Sequence, residues 1–307
     1  MRKIAFIFPG QGAQYVGMGK DFYEQFPVSR AIYEKASQIT NLDIAKLCFE
    51  ENEQLNITEF TQIALLTTQV AMLKVVEDMG IKADVNAGLS LGEYAALVSS
   101  KVISEEAAFL LVRKRGELMQ KAVPTGGAMA AILGLESEII DQICQSTEGI
   151  VSVANYNCPG QIVITGEETA VIKACETLKE AGARRTIMLN VSGPFHSMML
   201  EAAGEKLGEV LEETEIFPFT TPYVTNVIAD YVTEPAFVKT LLKQQIYSSV
   251  KWQQSMERLI ADGVNTFIEI GPGKTLSGFM KKINKEVMIL NIEKVEDLHN
   301  VVSSLQE

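Results

Sequence analysis

Short apolar runs that stop abruptly, separated by long helical stretches, limit most strongly what this chain folds into. Ile4 to Phe8 is apolar without interruption and ends at Pro9-Gly10, as expected of a strand buried on both faces. Runs of the same kind recur at Val85–Gly88, Thr266–Ile270 and Val287–Leu290. Helical periodicity lies between them, over Ile63 to Met79, Glu105 to Ala122 and Met198 to Leu211. Strands alternating with helices predict an α/β fold with a mostly parallel sheet flanked by helices.

The middle reads differently. After Pro124-Thr125-Gly126-Gly127 come a strand (Ala128–Leu133), a helix (Glu136–Cys144) and two strands (Ile150–Asn155, Gln161–Thr165). A helix (Thr169–Ala181) and a strand (Arg184–Leu189) complete the order βαββαβ, the ferredoxin-like arrangement. The expectation is a large α/β domain over 1–124 and 198–307, with a small ferredoxin-like domain inserted at 125–197.

Composition excludes several classes. Lys+Arg number 27 against Asp+Glu 39, a net charge of -12. Neither nucleic acid nor an anionic membrane is an expected partner, since both need basic surface. An acidic protein partner would need a local patch, for which Arg184-Arg185 and Lys281-Lys282 are the candidates. Cys48, Cys144, Cys158 and Cys175 show no CxxC spacing, which fits reduced core residues rather than a zinc site. The first apolar run is too short for a signal peptide, and no later run approaches the roughly 20 residues of a membrane span. A cytoplasmic location is expected.

Two glycine-rich stretches resemble nucleotide sites and fail. In Gly10-Gln11-Gly12-Ala13-Gln14-Tyr15 the third glycine of the dinucleotide fingerprint is Tyr15. Before Gly273-Lys274-Thr275, the first glycine that a P-loop requires is Ile268.

Gly88-Leu89-Ser90-Leu91-Gly92 matches the G-x-S-x-G nucleophile elbow, with a strand before it and a helical pattern, Glu93–Val98, after it. Glycines let the sharp turn close, and the helix start aims backbone N–H groups at a developing oxyanion. Ser90 is the candidate nucleophile and the Leu91 N–H one candidate donor. A serine attacking a thioester needs a base, and the chain has only His196 and His299. His299 lies in a polar terminal stretch; His196 lies in the rigid loop Ser192-Gly193-Pro194-Phe195-His196-Ser197 and is preferred.

On the helix Glu105–Ala122, Arg115 falls within the apolar stripe of Ala108, Leu111, Val112, Leu118, Met119 and Ala122. A guanidinium on a buried face needs acceptors. Its partner is either an internal Asp or Glu or the carboxylate of a substrate, held by parallel N–H···O bonds.

These residues resemble the malonyl-CoA:acyl carrier protein transacylases, a family that includes acyltransferase domains of polyketide synthases. The signatures run through nearly the whole chain: Phe8-Pro9-Gly10-Gln11-Gly12, Gly88-Leu89-Ser90-Leu91-Gly92-Glu93 and Arg115-Gly116. Asn155-Tyr156-Asn157 with Pro159-Gly160-Gln161, Pro194-Phe195-His196, Gln245-Ile246-Tyr247 and Glu269-Ile270-Gly271-Pro272-Gly273 follow.

The resemblance implies a hydrolase-like large domain with an inserted ferredoxin-like one and the active site between them. It implies Ser90 as nucleophile, His196 as base, and the N–H groups of Gln11 and Leu91 as the oxyanion hole. Arg115 would clamp the malonyl carboxylate. The backbone carbonyl near Gln245 would orient the imidazole in place of an Asp, and Asn157 would support the site. The implied partners are malonyl-CoA and acyl carrier protein, with no metal or prosthetic group. One departure concerns acyl selection: Leu89 stands where the family usually has His. The competing readings are a free-standing acyltransferase serving a polyketide synthase, a serine thioesterase indifferent to Arg115, and a non-catalytic binding subunit.

Overall fold

The computed structural model describes residues 2–306. In chain order its strands are β1 (Ile4–Phe8), β2 (Val85–Gly88), β3 (Gly127–Leu133), β4 (Val151–Cys158) and β5 (Gln161–Glu167), then β6 (Arg185–Met188), β7 (Tyr223–Val224), β8 (Thr266–Ile270) and β9 (Met288–Ile292). They form a five-stranded sheet, β7-β2-β1-β8-β9, with every neighbouring pair parallel. A separate four-stranded antiparallel sheet has the order β4-β5-β3-β6.

Both faces of the parallel sheet are buried around β1, which is apolar throughout, while β2 and β8 bury Asn86 and Glu269 among their apolar side chains; alternate side chains point to opposite sides. Along β1, Phe6 and Phe8 join one core with Leu65, Leu66 and Leu97. Ala5 and Ile7 join another with Trp252, Met256 and Phe279. The helix Thr58–Asp78 crosses the first core and is buried at every position from Thr61 to Leu73. It begins one turn before the apolar pattern does, because Thr58, Thr61 and Gln62 are polar yet packed inside. The last strand also lies slightly later than its apolar run, at Met288–Ile292.

The smaller sheet carries the helices Ser137–Ser146 and Glu168–Glu180 on one face, over Ala130, Ile132, Val153 and Ile164. Its opposite face turns Met129 and Val163 toward the larger core. Strand β4 is bonded to the larger unit: Tyr156 N–H donates to Val250 C=O at 3.0 Å, and Val250 N–H to Ala154 C=O at 2.7 Å.

In a parallel sheet the loops at the carboxyl ends of the strands form the crevice where ligands bind. Here the loops after β1, β2, β7 and β8 converge on that edge, beneath the smaller sheet. Among the described residues no helix is long and apolar enough to cross a membrane. The four cysteines are buried with free thiols, and burial pushes those of Cys48 and Cys144 up to about 12.

Candidate active site

Ser90 stands at the turn between β2 and the helix that follows it. Its φ of 52° lies in the left-handed region, and the helix Gly92–Ser99 starts two residues later. A Cβ on Gly88 would overlap the Gly92 carbonyl, and one on Gly92 would overlap the Phe8 carbonyl. Only glycine at both places lets strand and helix meet so closely. The strained turn is held from the side by Asn226, just past β7. Ser90 N–H donates to Asn226 Oδ1 at 2.6 Å, and Asn226 Nδ2 donates to Gly88 C=O at 2.7 Å.

His196 reaches Ser90 from the loop after the smaller sheet. Its Nδ1 lies 2.8 Å from the main-chain oxygen of Gln245, which can only accept, so Nδ1 carries the hydrogen. The Nε2 lone pair then faces Ser90 Oγ at 2.9 Å. Burial, with the Arg115 guanidinium alongside, pulls the imidazole down from 6.5 to about 4. At neutral pH the ring is uncharged and ready to take a proton. The loop is tied down by His196 N–H to Ile246 C=O at 3.1 Å and by Ser192 Oγ to Thr58 Oγ1 at 2.7 Å.

Arg115 meets no carboxylate. It is only 1% exposed, and its donors go to neutral oxygens: Nη1 to Gln62 Oε1 at 2.7 Å, and Nη2 to Gln245 Oε1 and Ser90 Oγ at 3.0 Å each. The Tyr94 ring lies 5.5 Å from the guanidinium carbon. Burial lowers its pKa, yet an arginine stays charged. The two alternatives left open by the sequence are thereby separated. Among the described residues no Asp or Glu forms a salt bridge with this cation, Glu93 acting on it only from a distance, and its positive charge borders Ser90 Oγ.

Behind the site lies a second carboxyl. Glu93, fully buried, accepts from Gln245 Nε2 at 2.6 Å and from Asn226 N–H at 3.1 Å. Burial pushes it up to about 7 despite those bonds. Gln62, Glu93 and Asn226 escaped the sequence reading as site residues. Gln62 preceded the apolar stretch taken as helix, and Asn226 followed a strand of only two residues. Glu93 did carry a signal, as an acid on an otherwise apolar helix.

A cavity of about 250 Å³ opens in front of Ser90 and His196, lined also by Gln11, Asn157, Arg115 and Met129. Leu91 borders it too. Among the described residues neither the Gln11 nor the Leu91 backbone N–H has an acceptor, whereas that of Ser90 is taken by Asn226. Leu89 lines the cavity and packs with the Trp252 core. His299 is exposed on the helix Val295–Gln306, and the two basic doublets are exposed as well. No group of three or more metal-ligating side chains occurs among the described residues.

Similarity to known proteins agrees with this geometry. The family described as "Acyl transferase domain" matches residues 5–301. The malonyl CoA-acyl carrier protein transacylase of Bacillus subtilis is 47% identical, over 100% of this chain and 98% of its own length. The chain belongs to the malonyl-CoA:acyl carrier protein transacylase family. Within this transacylase family, the Staphylococcus aureus (strain MW2) protein is 43% identical over 97% of the chain and 98% of its own length. Among solved structures, the transacylase of Clostridium perfringens superposes with a TM-score of 0.96 at 45% identity, covering 99% of this chain and 97% of that one. A malonyl-transacylase solved in complex with its type II polyketide acyl-carrier protein gives 0.96 at 38% identity, covering 98% and 99%.

Proposed function

We propose that this protein moves the malonyl group from malonyl-CoA to the phosphopantetheine thiol of acyl carrier protein, through an ester on Ser90. The observation that carries the reading is the buried Arg115, held by three neutral oxygens and touching the reacting hydroxyl. A cation that close to Ser90 Oγ suits an acyl group whose free carboxylate lies one methylene beyond the carbonyl carbon. Malonyl is that group.

In the first half-reaction His196 Nε2 takes the Ser90 proton as Oγ attacks the thioester carbonyl. The oxyanion is received by the N–H groups of Gln11 and Leu91, a donor of this kind being worth about 3 kcal/mol. The C–S bond breaks, CoA leaves as the thiol with the proton returned by the imidazolium, and malonyl-Ser90 remains. The Gln245 carbonyl keeps Nδ1 protonated throughout. The pantetheine thiol of the carrier then reverses the steps, its proton passing to His196 and back to Ser90 Oγ. Every role is met by a group of the chain, so the reaction calls for no metal or prosthetic group.

The supply of malonyl to fatty-acid synthesis in the cytoplasm fits these substrates, the four buried thiols and the acidic surface. A polyketide carrier would use the same residues. A thioesterase is disfavoured, since hydrolysis has no use for a buried cation beside the serine. The test is CoA release from malonyl-CoA with and without holo acyl carrier protein. Acceptor-dependent turnover with malonyl-carrier as product is expected; steady release to water, unaffected by carrier, would reject transfer.

A further inference from the structure

We propose that Glu93 is a positioning residue for acyl selection: it fixes the orientation of the Gln245 side-chain amide, and through it aims Arg115 at the carboxylate of the acyl group. The inference rests on the malonyl reading and deepens it.

Glu93 is the first residue after Gly92 on the helix that follows the elbow, and its side chain is wholly buried. The Gln245 amide is spent at both ends. Its Nε2 donates to Glu93 Oε2 at 2.6 Å and to the Ser90 carbonyl at 3.1 Å. Its Oε1 is therefore left to accept from Arg115 Nη2 at 3.0 Å. With Glu93 ionised, above its value of about 7, the reverse orientation would set the amide NH2 against the guanidinium and the amide oxygen against the carboxylate, opposing donor to donor and acceptor to acceptor. The Glu93 carboxylate thus acts with the Ser90 carbonyl to hold the amide oxygen of Gln245 toward Arg115. Gln62 Oε1 holds the other side of the guanidinium at 2.7 Å, so two amide oxygens fix its plane without neutralising its charge. Buried polar groups specify one arrangement where they are paired, as both ends of the Gln245 amide are here, although Glu93 Oε1 and Arg115 Nε have no hydrogen-bond partner among the described residues.

The test uses Glu93→Gln, which keeps shape but offers a donor as well as an acceptor and so removes the charged acceptor's share in holding Gln245. Steady-state kcat and KM are measured at about pH 8, where Glu93 is mostly ionised, for malonyl-CoA and for acetyl-CoA with holo carrier protein, alongside the thermal midpoint. The malonyl-over-acetyl ratio of kcat/KM is expected to fall about tenfold or more, chiefly through KM for malonyl-CoA, the scale of one hydrogen bond to a charged group. An unchanged ratio, or equal losses with both thioesters, overturns the proposal. Should Glu93→Gln not fold, Gln245→Met retains the main-chain carbonyl that holds His196 and removes the amide. The same fall in the ratio is expected there, and an unchanged ratio overturns the proposal. A wild-type protein with no malonyl preference would instead reject the functional reading itself.

Discussion

Arg115 Nη2 donates to Ser90 Oγ at 3.0 Å, so the cation and the nucleophile are in direct contact. The same hydroxyl has His196 Nε2 on its other side at 2.9 Å. One oxygen thus accepts from a cation and donates to a base, which favours the alkoxide as it forms. In the proposed reaction this contact would put Arg115 within a methylene's reach of the acyl carbon on Ser90.

Arg115→Ala removes a bidentate donor and leaves Gln62 and Gln245 facing one another without it. We expect kcat/KM for malonyl-CoA to fall by about 10²-fold or more, at roughly 1.5–3 kcal/mol per charge-assisted bond. Acetyl-CoA should lose much less, so the two thioesters should be compared in one assay. Arg115→Lys should behave like the alanine variant for malonyl, because an ammonium cannot span the same oxygens.

The depressed His196 pKa makes a statement about rate. A base that titrates at about 4 stays unprotonated across the weakly acidic range. The acid limb of kcat/KM, which reports the free enzyme, should therefore fall near pH 4. A midpoint near the ordinary histidine value would show that the imidazole is solvated and not held as described.

Stability against pH separates two buried groups of opposite sign. His196 is lowered from 6.5 to about 4, so the unfolded chain binds the extra proton and stability rises with pH across that window. Glu93 is raised from 4.5 to about 7, so the folded state binds the extra proton and stability falls with pH between those values. Each amounts to about 3 kcal/mol at about 1.4 kcal/mol per pH unit. They oppose one another in the wild type. Urea midpoints of wild type and Glu93→Gln, taken from pH 4.5 to 7, should show the wild type losing about 3 kcal/mol relative to the variant.

Asn226→Ala strips the brace from the elbow. Ser90 N–H and Gly88 C=O lose their partners, at roughly 1–3 kcal/mol for each buried group left unpaired. The denaturant midpoint should fall accordingly. Turnover should fall with it, because the left-handed φ at Ser90 then loses the bond to its own N–H and keeps the flanking glycines, the helix start and the Gln245 bond to its carbonyl.

Much of the fold was legible because the strand runs are mainly apolar where they bury two faces, and several stop at proline or glycine where loops begin. The βαββαβ order of the middle came from the same pattern, and the sheet order β4-β5-β3-β6 is what that connectivity gives. Ser90 announced itself through glycine spacing, and Arg115 through a charge in an apolar stripe. What stayed hidden were neutral or acidic partners whose role is tertiary. Gln62, Asn226 and Glu93 sit on three separate elements, and no spacing within one element reveals that they share hydrogen bonds. The two-residue strand β7 was too short to leave a pattern, and the position of Asn226 depends on it.

The central claim is a malonyl ester on Ser90 selected by Arg115. Intact-protein mass spectrometry tests it most directly, after mixing malonyl-CoA with wild type, Ser90→Ala and Arg115→Ala. We predict a malonyl adduct on the wild type alone, discharged by holo acyl carrier protein and not formed to the same extent from acetyl-CoA. An adduct that persists in Arg115→Ala, or none on folded wild type, would contradict the account.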